Sequence, residues 1–98
     1  MKRYRVVYTK HAELDIDELR GYISTICFAP LTAQRYAAGI IRKIKWLETH
    51  AELRPIDENT SRRLGITVRR INYKKMAVIY WIDKDEVFIY RIIPQSLL

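Results

Sequence analysis

Six residues in the second half of the chain carry side chains that could bind a polyanion. Arginine and lysine supply cationic donors that match phosphate oxygens, and tyrosine can stack on a nucleobase. The set consists of Arg69, Arg70, Tyr73, Lys74, Lys75 and Arg91. The whole set is a candidate surface for binding a nucleic acid or a protein, and Arg69, Tyr73 and Arg91 are also candidate catalytic residues.

The charge of the whole chain agrees with such a surface but does not choose the partner. The formal net charge is +7 over 98 residues, and the sequence pI is about 9.8. A field of this sign attracts polyanions and acidic proteins. Lysines and arginines scattered over an ordinary globular domain would give the same net charge, so both interpretations stay open.

The sequence lacks the motifs of several other kinds of enzyme. The sequence has no glycine-rich phosphate loop, no nucleophile elbow and no H-E-x-x-H pair. His11 and His50 are far apart in sequence, and we expect His50 to face the helix dipole at a helix end. Cys27 is the only cysteine, which excludes an intramolecular disulfide, and we expect it to be buried at a helix end. We therefore expect no cofactor and no metal.

The chain also lacks the apolar segments that direct a protein into or across a membrane. The longest apolar run, Met76 to Ile82, is about a third of the roughly 20 residues that a spanning helix needs. Residues 2 to 9 alternate in polarity and do not form the core of a signal peptide. These features predict a cytoplasmic protein with no membrane partner.

The first half of the chain predicts one strand and two helices. Tyr4 to Thr9 is rich in β-forming residues, and an apolar stripe of period 3.6 then predicts a helix from His11 to Cys27 with Thr9 as its N-cap. Ala29-Pro30 ends this helix, and a second stripe predicts a helix from Thr32 to Glu52, antiparallel to the first. The first stripe contains Ala12, Ile16, Leu19, Ile23 and Ile26, and the second contains Ala33, Tyr36, Ala37, Ile40, Ile41, Ile44 and Leu47.

The second half of the chain predicts a loop and three strands. Arg54 to Gly65 is polar and has no period, which indicates a loop. Strands are predicted for Ile66 to Asn72, Met76 to Ile82 and Val87 to Ile93, and the short polar breaks between them indicate two β-hairpins. The strand Met76 to Ile82 is apolar on both faces, so we expect it to be central and covered on both sides. The predicted fold is α+β, a single domain over residues 1–98. It has an N-terminal strand and an antiparallel two-helix hairpin packed on a C-terminal antiparallel β-meander.

The residues on these elements resemble the RelE/ParE toxin superfamily, and the ParE-like branch more than the RelE-like branch. The first helix carries Ala12-x-x-Asp15-Ile16-x-x-Leu19-x-x-Tyr22-Ile23, similar to the A-x-x-D-L-x-x-I-x-x-Y-I run of ParE-like proteins. Further similar stretches are Arg35-Tyr36, Leu64-Gly65, Val68-Arg69-Arg70-Ile71, Val78-Ile79-Tyr80-Trp81 and Val87-Phe88-Ile89-Tyr90-Arg91. Arg69 is similar to the arginine that ParE-like proteins place on the second strand. A cross-strand ion pair or a solvated cation is the open alternative.

The resemblance implies the toxin of a type II toxin–antitoxin (plasmid stabilisation) system, neutralised by a cognate antitoxin. The antitoxin's disordered tail would fold on the surface of the toxin. The expected assembly is a homodimer of the toxin or a toxin–antitoxin hetero-oligomer. A ParE-like protein poisons DNA gyrase and needs no catalytic residue. A RelE-like protein is an endoribonuclease that cuts messenger RNA on the ribosome, and its candidate residues here are the cations and Tyr73. Asn72, rather than a basic residue, lies near the position of the RelE-like second-strand arginine. A degenerate toxin that only binds antitoxin is a third hypothesis, suggested by the altered Pro94-Gln95-Ser96 segment.

Overall fold

The computed structural model describes residues 2–98 and has the predicted order of elements. The strands are β1 (Arg5–Tyr8), β2 (Arg69–Tyr73), β3 (Met76–Asp83) and β4 (Glu86–Pro94). The helices are α1 (Lys10–Gly21), α2 (Pro30–His50) and a short α3 (Glu58–Leu64). Single turns of helix follow α1 at Tyr22–Ile26, α2 at Ala51–Leu53 and β4 at Gln95–Leu97. The predicted α+β fold is confirmed.

The helical hairpin forms where the sequence predicts it. The Thr9 hydroxyl accepts a hydrogen bond from the Ala12 amide at 3.2 Å, which caps α1. Pro30 occupies the first turn of α2, where its missing amide proton leaves no hydrogen bond unmade. The buried faces of the two helices form one layer of the core, with Ala12 and Ile16 from α1 and Ala33, Ala37, Ile40, Ile44 and Leu47 from α2.

The four strands form one sheet in the order β1-β4-β3-β2. The meander β2-β3-β4 is antiparallel, as predicted. The sequence left the neighbour of the first strand open, and β1 lies parallel to β4, with Val6 opposite Val87. A parallel pair needs a crossover connection, and the helical hairpin lies within the long connection between β1 and β4.

The third strand is central and buried on both faces, as its composition predicts. Val78 and Tyr80 face the helices, and the Tyr80 hydroxyl donates to the Ala51 carbonyl oxygen at 2.7 Å. Burial raises the pKa of Tyr80 to about 12, so this phenol stays protonated and keeps its hydrogen bond. On the other face Ile79 is 2% exposed, because α3 and the turn Gln95–Leu97 lie over that part of the sheet.

The prediction of a loop from Arg54 to Gly65 is wrong over most of its length, because residues 58–64 form α3. The Asp57 carboxylate caps this helix by accepting from the Thr60 amide at 3.1 Å. Gly65 ends it with φ +76°. A helix of seven residues is too short to show an apolar period, and Thr60 is its only buried residue. The Asp and Gly at its two ends were the available signals. The following strand correspondingly begins at Arg69 rather than Ile66.

The tip of the helical hairpin also differs from the prediction. Cys27, expected to be buried, is exposed, and Ile26 is 61% exposed. The chain widens to a π-helical turn at Tyr22–Ile26, where the Cys27 amide donates to the Tyr22 carbonyl at 3.3 Å. One extra residue in the turn rotates the side chains that follow, so Ile26 leaves the buried stripe. Ile41, at the margin of the second stripe, is likewise partly exposed.

The closest approach between α2 and the sheet is at Gly39. A Cβ at this position would overlap the hydroxyl group and Cζ of Tyr73, so the tyrosine lies in a notch that only glycine leaves open. The Tyr73 ring is held there by an edge-to-face contact with Tyr36, with ring centroids 5.4 Å apart. The notch fixes the distance between the helix layer and the end of β2.

We expect Gly39→Ala to lower the free energy of unfolding by about 1–3 kcal/mol, because the added methyl group overpacks the notch. In a Tyr73→Ala background the same change should instead raise it by up to about 1 kcal/mol, since alanine is the better helix former. Urea unfolding of the two single variants and the double variant measures the coupling.

Gly21→Ala is the matched control, because nothing lies within 4 Å of a Cβ at Gly21. It should be stabilising in both backgrounds. A destabilising effect of Gly39→Ala that persists without the Tyr73 ring would contradict the steric explanation.

Candidate functional site

The six candidate residues lie on β2, on the turn after it and on β4. Arg69, Arg70 and Tyr73 belong to β2, Lys74 and Lys75 form the turn, and Arg91 belongs to β4. The sheet aligns Arg70 with Ile79 and Ile79 with Arg91, so the two arginines are two strands apart. The fold therefore places the candidates in one region of the sheet, and the contacts of each side chain determine what they can do.

Arg91 is bound to the first helix. The Asp15 carboxylate accepts from Arg91 Nε at 2.8 Å and from Nη2 at 3.0 Å, and it also accepts the backbone amide of Ile92 at 2.8 Å. The Asp15 side chain is only 9% exposed. The hydrogen bond with Asp15 raises the pKa of Arg91. A bidentate pair of this kind fixes the guanidinium group rigidly, so Arg91 joins α1 to β4.

The two β2 arginines also bind within the fold. Arg69 Nη1 donates to the carbonyl oxygens of Glu52 and Arg54, at 3.2 and 2.6 Å, and so binds the chain just after α2. The predicted alternative to a ParE-like role was a cross-strand ion pair or a solvated cation. Arg69 instead donates to backbone carbonyls. Arg70 lies 3.7 Å from the Asp57 carboxylate at the start of α3.

The pKa of Asp57 reflects this surrounding. Burial raises it, but the hydrogen bonds from Thr60 and the positive charge of Arg70 outweigh that effect. The pKa is therefore lowered, and Asp57 stays ionised as the N-cap of α3. Arg70 and Arg91 thus approach different carboxylates, Asp57 before α3 and Asp15 on α1.

The remaining three candidates form an aromatic and basic group at the end of β2. Lys74 has φ +53° in the turn, and its ammonium group lies 5.4 Å from the Tyr36 ring and 5.6 Å from the Tyr73 ring. Lys75 is exposed, and its carbonyl oxygen accepts from the Gln95 amide at 2.8 Å. Of the six candidates, Lys74 and Lys75 are exposed, whereas Tyr73 packs against α2.

Sequence reasoning missed an apolar cavity on the sheet face opposite the helical hairpin. It has a volume of about 200 Å³ and opens to solvent. Its apolar lining comes from α3, β3, β4 and the following turn, and consists of Leu64, Ile79, Tyr90, Ile93 and Leu97. Arg63 and Arg91 lie in its wall. Alternation along β3 and β4 placed Ile79 on this face, but the cavity needs α3, which the sequence pattern did not reveal.

Within residues 2–98, no group of three or more His, Cys, Asp or Glu side chains could hold a metal ion. In the same range, no helix is both long and apolar enough to cross a membrane.

The fold is similar to that of a solved protein described as the chromosomal ParDE TA system from P. aeruginosa. The two structures superpose with a TM-score of 0.73 at 20% sequence identity, and the match covers 94% of this chain and 96% of the other. At this identity the likeness establishes the architecture alone. No curated protein matches the sequence.

The sequence settles the family. The model of the family described as "ParE toxin of type II toxin-antitoxin system, parDE" matches residues 4–97. The chain belongs to the ParE toxin family of type II toxin–antitoxin systems. The resemblance to the RelE/ParE superfamily, and the preference for its ParE-like branch, are confirmed.

We expect Asp15→Asn to lower the free energy of unfolding by about 2 kcal/mol, because it removes the charge that holds Arg91. The value is below that for a fully buried pair because the Arg91 side chain is 39% exposed. Asp17→Asn is the matched control on the same helix, since its pair with Arg20, at 3.4 Å, is exposed on both sides. Chemical denaturation should show that the control lowers the free energy of unfolding by less than about 0.5 kcal/mol. Equal losses in the two variants would contradict the role of Asp15.

Proposed function

We propose that this ParE-family toxin acts by binding DNA gyrase and not by cutting RNA. The observation that carries the proposal is the state of Arg69, Arg70 and Arg91. A phosphodiester-cleaving site needs cations free to stabilise the charge that develops on phosphate, together with a group that moves a proton. All three arginines are instead committed to carbonyl or carboxylate groups of the fold.

The single tyrosine in the candidate set supports the same conclusion. Tyr73 packs on Tyr36 and in the notch at Gly39, so its ring has a structural role at the end of β2. Neither Arg69 nor Arg91 lies beside it in the sheet register, where Tyr73 is opposite Met76. An inhibitor that works by binding needs a rigid surface, and these internal contacts provide one.

Purified toxin should inhibit ATP-dependent supercoiling by purified bacterial gyrase, and it should leave messenger RNA intact in a translating extract. Relaxation of the same plasmid by a type I topoisomerase is the control and should be unaffected. Full supercoiling at saturating toxin would contradict the proposal.

Ribosome-dependent cleavage that is lost in Arg69→Ala or Tyr73→Phe would favour the nuclease. Growth arrest on expression of the toxin alone would exclude the degenerate toxin.

We also propose that the apolar cavity receives a segment of the cognate antitoxin. A tail that folds on binding needs an apolar pocket for its anchoring side chains. The cavity beside Ile79 has apolar walls and carries Arg63 at its margin, which suits an anchor flanked by an acidic residue. The net charge of +7 would speed the encounter with an acidic tail.

Leu97→Asp should weaken binding of the protein encoded by the adjacent reading frame at least tenfold in titration calorimetry, because it places a charge in the cavity wall. Leu53→Asp is the matched control: Leu53 is 69% exposed and Leu97 is 67% exposed, but Leu53 does not line the cavity. Unchanged affinity for Leu97→Asp, or an equal loss for the control, would place the antitoxin elsewhere.

A further inference from the structure

The outward face of α2 carries a row of cations that does not line the cavity. Arg35, Arg42 and Lys45 are exposed and lie on one side of the helix, with Ala38 between the first two. The four positions 35, 38, 42 and 45 are three, four and three residues apart, so they return to the same face of the helix at each turn. The row, called here the basic stripe, extends about 15 Å along the helix axis.

The positive charge of the basic stripe is not neutralised by the fold. Within residues 2–98, none of its three cations forms an ion pair. The only carboxylate on α2, Glu48, lies 3.4 Å from Arg3. Six other cations of the chain do pair with carboxylates: Lys2, Arg3, Arg5, Arg20, Arg70 and Arg91.

The basic stripe does not contribute to holding the fold together. The opposite side of α2 packs in the core through Ile40, Ile44 and Leu47, which are fully buried. Like charges one turn apart on a helix repel, so Arg42 and Lys45 make α2 less stable than neutral residues would. A set of cations that costs helix stability and pairs with no described carboxylate fits a polyanionic ligand.

The shape of the surface distinguishes among polyanions. An amphipathic acidic peptide needs an apolar anchor between the charges, but the residue within the stripe is Ala38. A single-stranded nucleic acid needs an aromatic ring to stack on. Trp46, one turn beyond Arg42 on α2, stacks on His50 with centroids 4.3 Å apart. A regular row of phosphates requires neither feature.

We propose that the basic stripe binds the phosphate backbone of duplex DNA, at a site separate from the sheet-face cavity. The neighbouring helix restricts how the duplex lies, because its exposed acids Glu13, Asp17 and Glu18 repel phosphate. The duplex therefore contacts α2 on the side away from α1. Contacts with the backbone alone carry no sequence preference.

The test measures binding of the full chain to a 20-base-pair duplex of mixed sequence by fluorescence anisotropy, across a series of salt concentrations and without gyrase. Each phosphate that a cation neutralises contributes about 0.9 to the slope of log affinity against log salt. The variant R35Q/R42Q/K45Q should therefore lose close to 2.7 of the slope, that is about three contacts.

The control variant K10Q/R62Q/K84Q makes the same change in net charge with exposed cations away from the stripe. It should keep nearly the whole slope. Arg42→Gln alone should lower the slope by about 0.9, which keeps the test decisive if the triple variant unfolds. Circular dichroism melting establishes that each variant is folded.

Three results would overturn the proposal. The wild-type chain could bind no duplex at low salt, or the two triple variants could lose the same slope. Alternatively, the stripe variant could keep DNA binding and lose binding to polyglutamate, which would assign the stripe to an acidic peptide. Because gyrase is absent from the assay, these results are independent of the supercoiling test.

Discussion

The fold depends on how the outer edge of β4 is completed after β1 ends. β1 pairs with β4 only as far as Tyr8 opposite Ile89. The Thr9 hydroxyl then donates to the carbonyls of Ile89 and Tyr90, at 2.7 and 3.0 Å, and the Asp15 carboxylate accepts the amide of Ile92. Polar groups of the helical hairpin thus continue the hydrogen bonding of the strand, which satisfies its backbone and fixes the hairpin on the sheet.

The same contacts, and similar ones on β2, hold two of the candidate cations within the fold. Arg91 is part of the connection through Asp15, and Arg69 binds the carbonyls that follow α2. Each arginine supplies hydrogen bonds that join separate elements of the small fold. The two ligand sites that we propose lie on other surfaces, the apolar cavity between α3 and the sheet and the outer face of α2.

Sequence patterns predicted those parts of the fold that have an apolar period or a clear capping or helix-breaking residue. The hairpin break at Pro30, the cap at Thr9 and the doubly buried strand at Val78 all follow from local rules. The helix α3 was not predicted, because six polar residues and one leucine have no apolar period to detect. The π-helical turn at Tyr22–Ile26 was not predicted either, because a widened turn depends on how the hairpin closes.

The candidate site was predicted as a set of residues but not as a set of contacts. The positions of Arg70 and Arg91, on the two strands that flank β3, follow from the meander. Their partners do not, since Asp15 and Asp57 lie 76 and 13 positions away, on elements whose packing no local pattern encodes. The cavity beside Ile79 depends on α3 in the same way.

The notch at Gly39 links two positions that are 34 residues apart in the chain. A family member can enlarge the helix residue only after the residue opposite has become small, so the order of substitutions is constrained. In an alignment, glycine at the first position should accompany tyrosine at the second, and the pair should change together. Such covariation would record the spacing between the two layers across the evolution of the family.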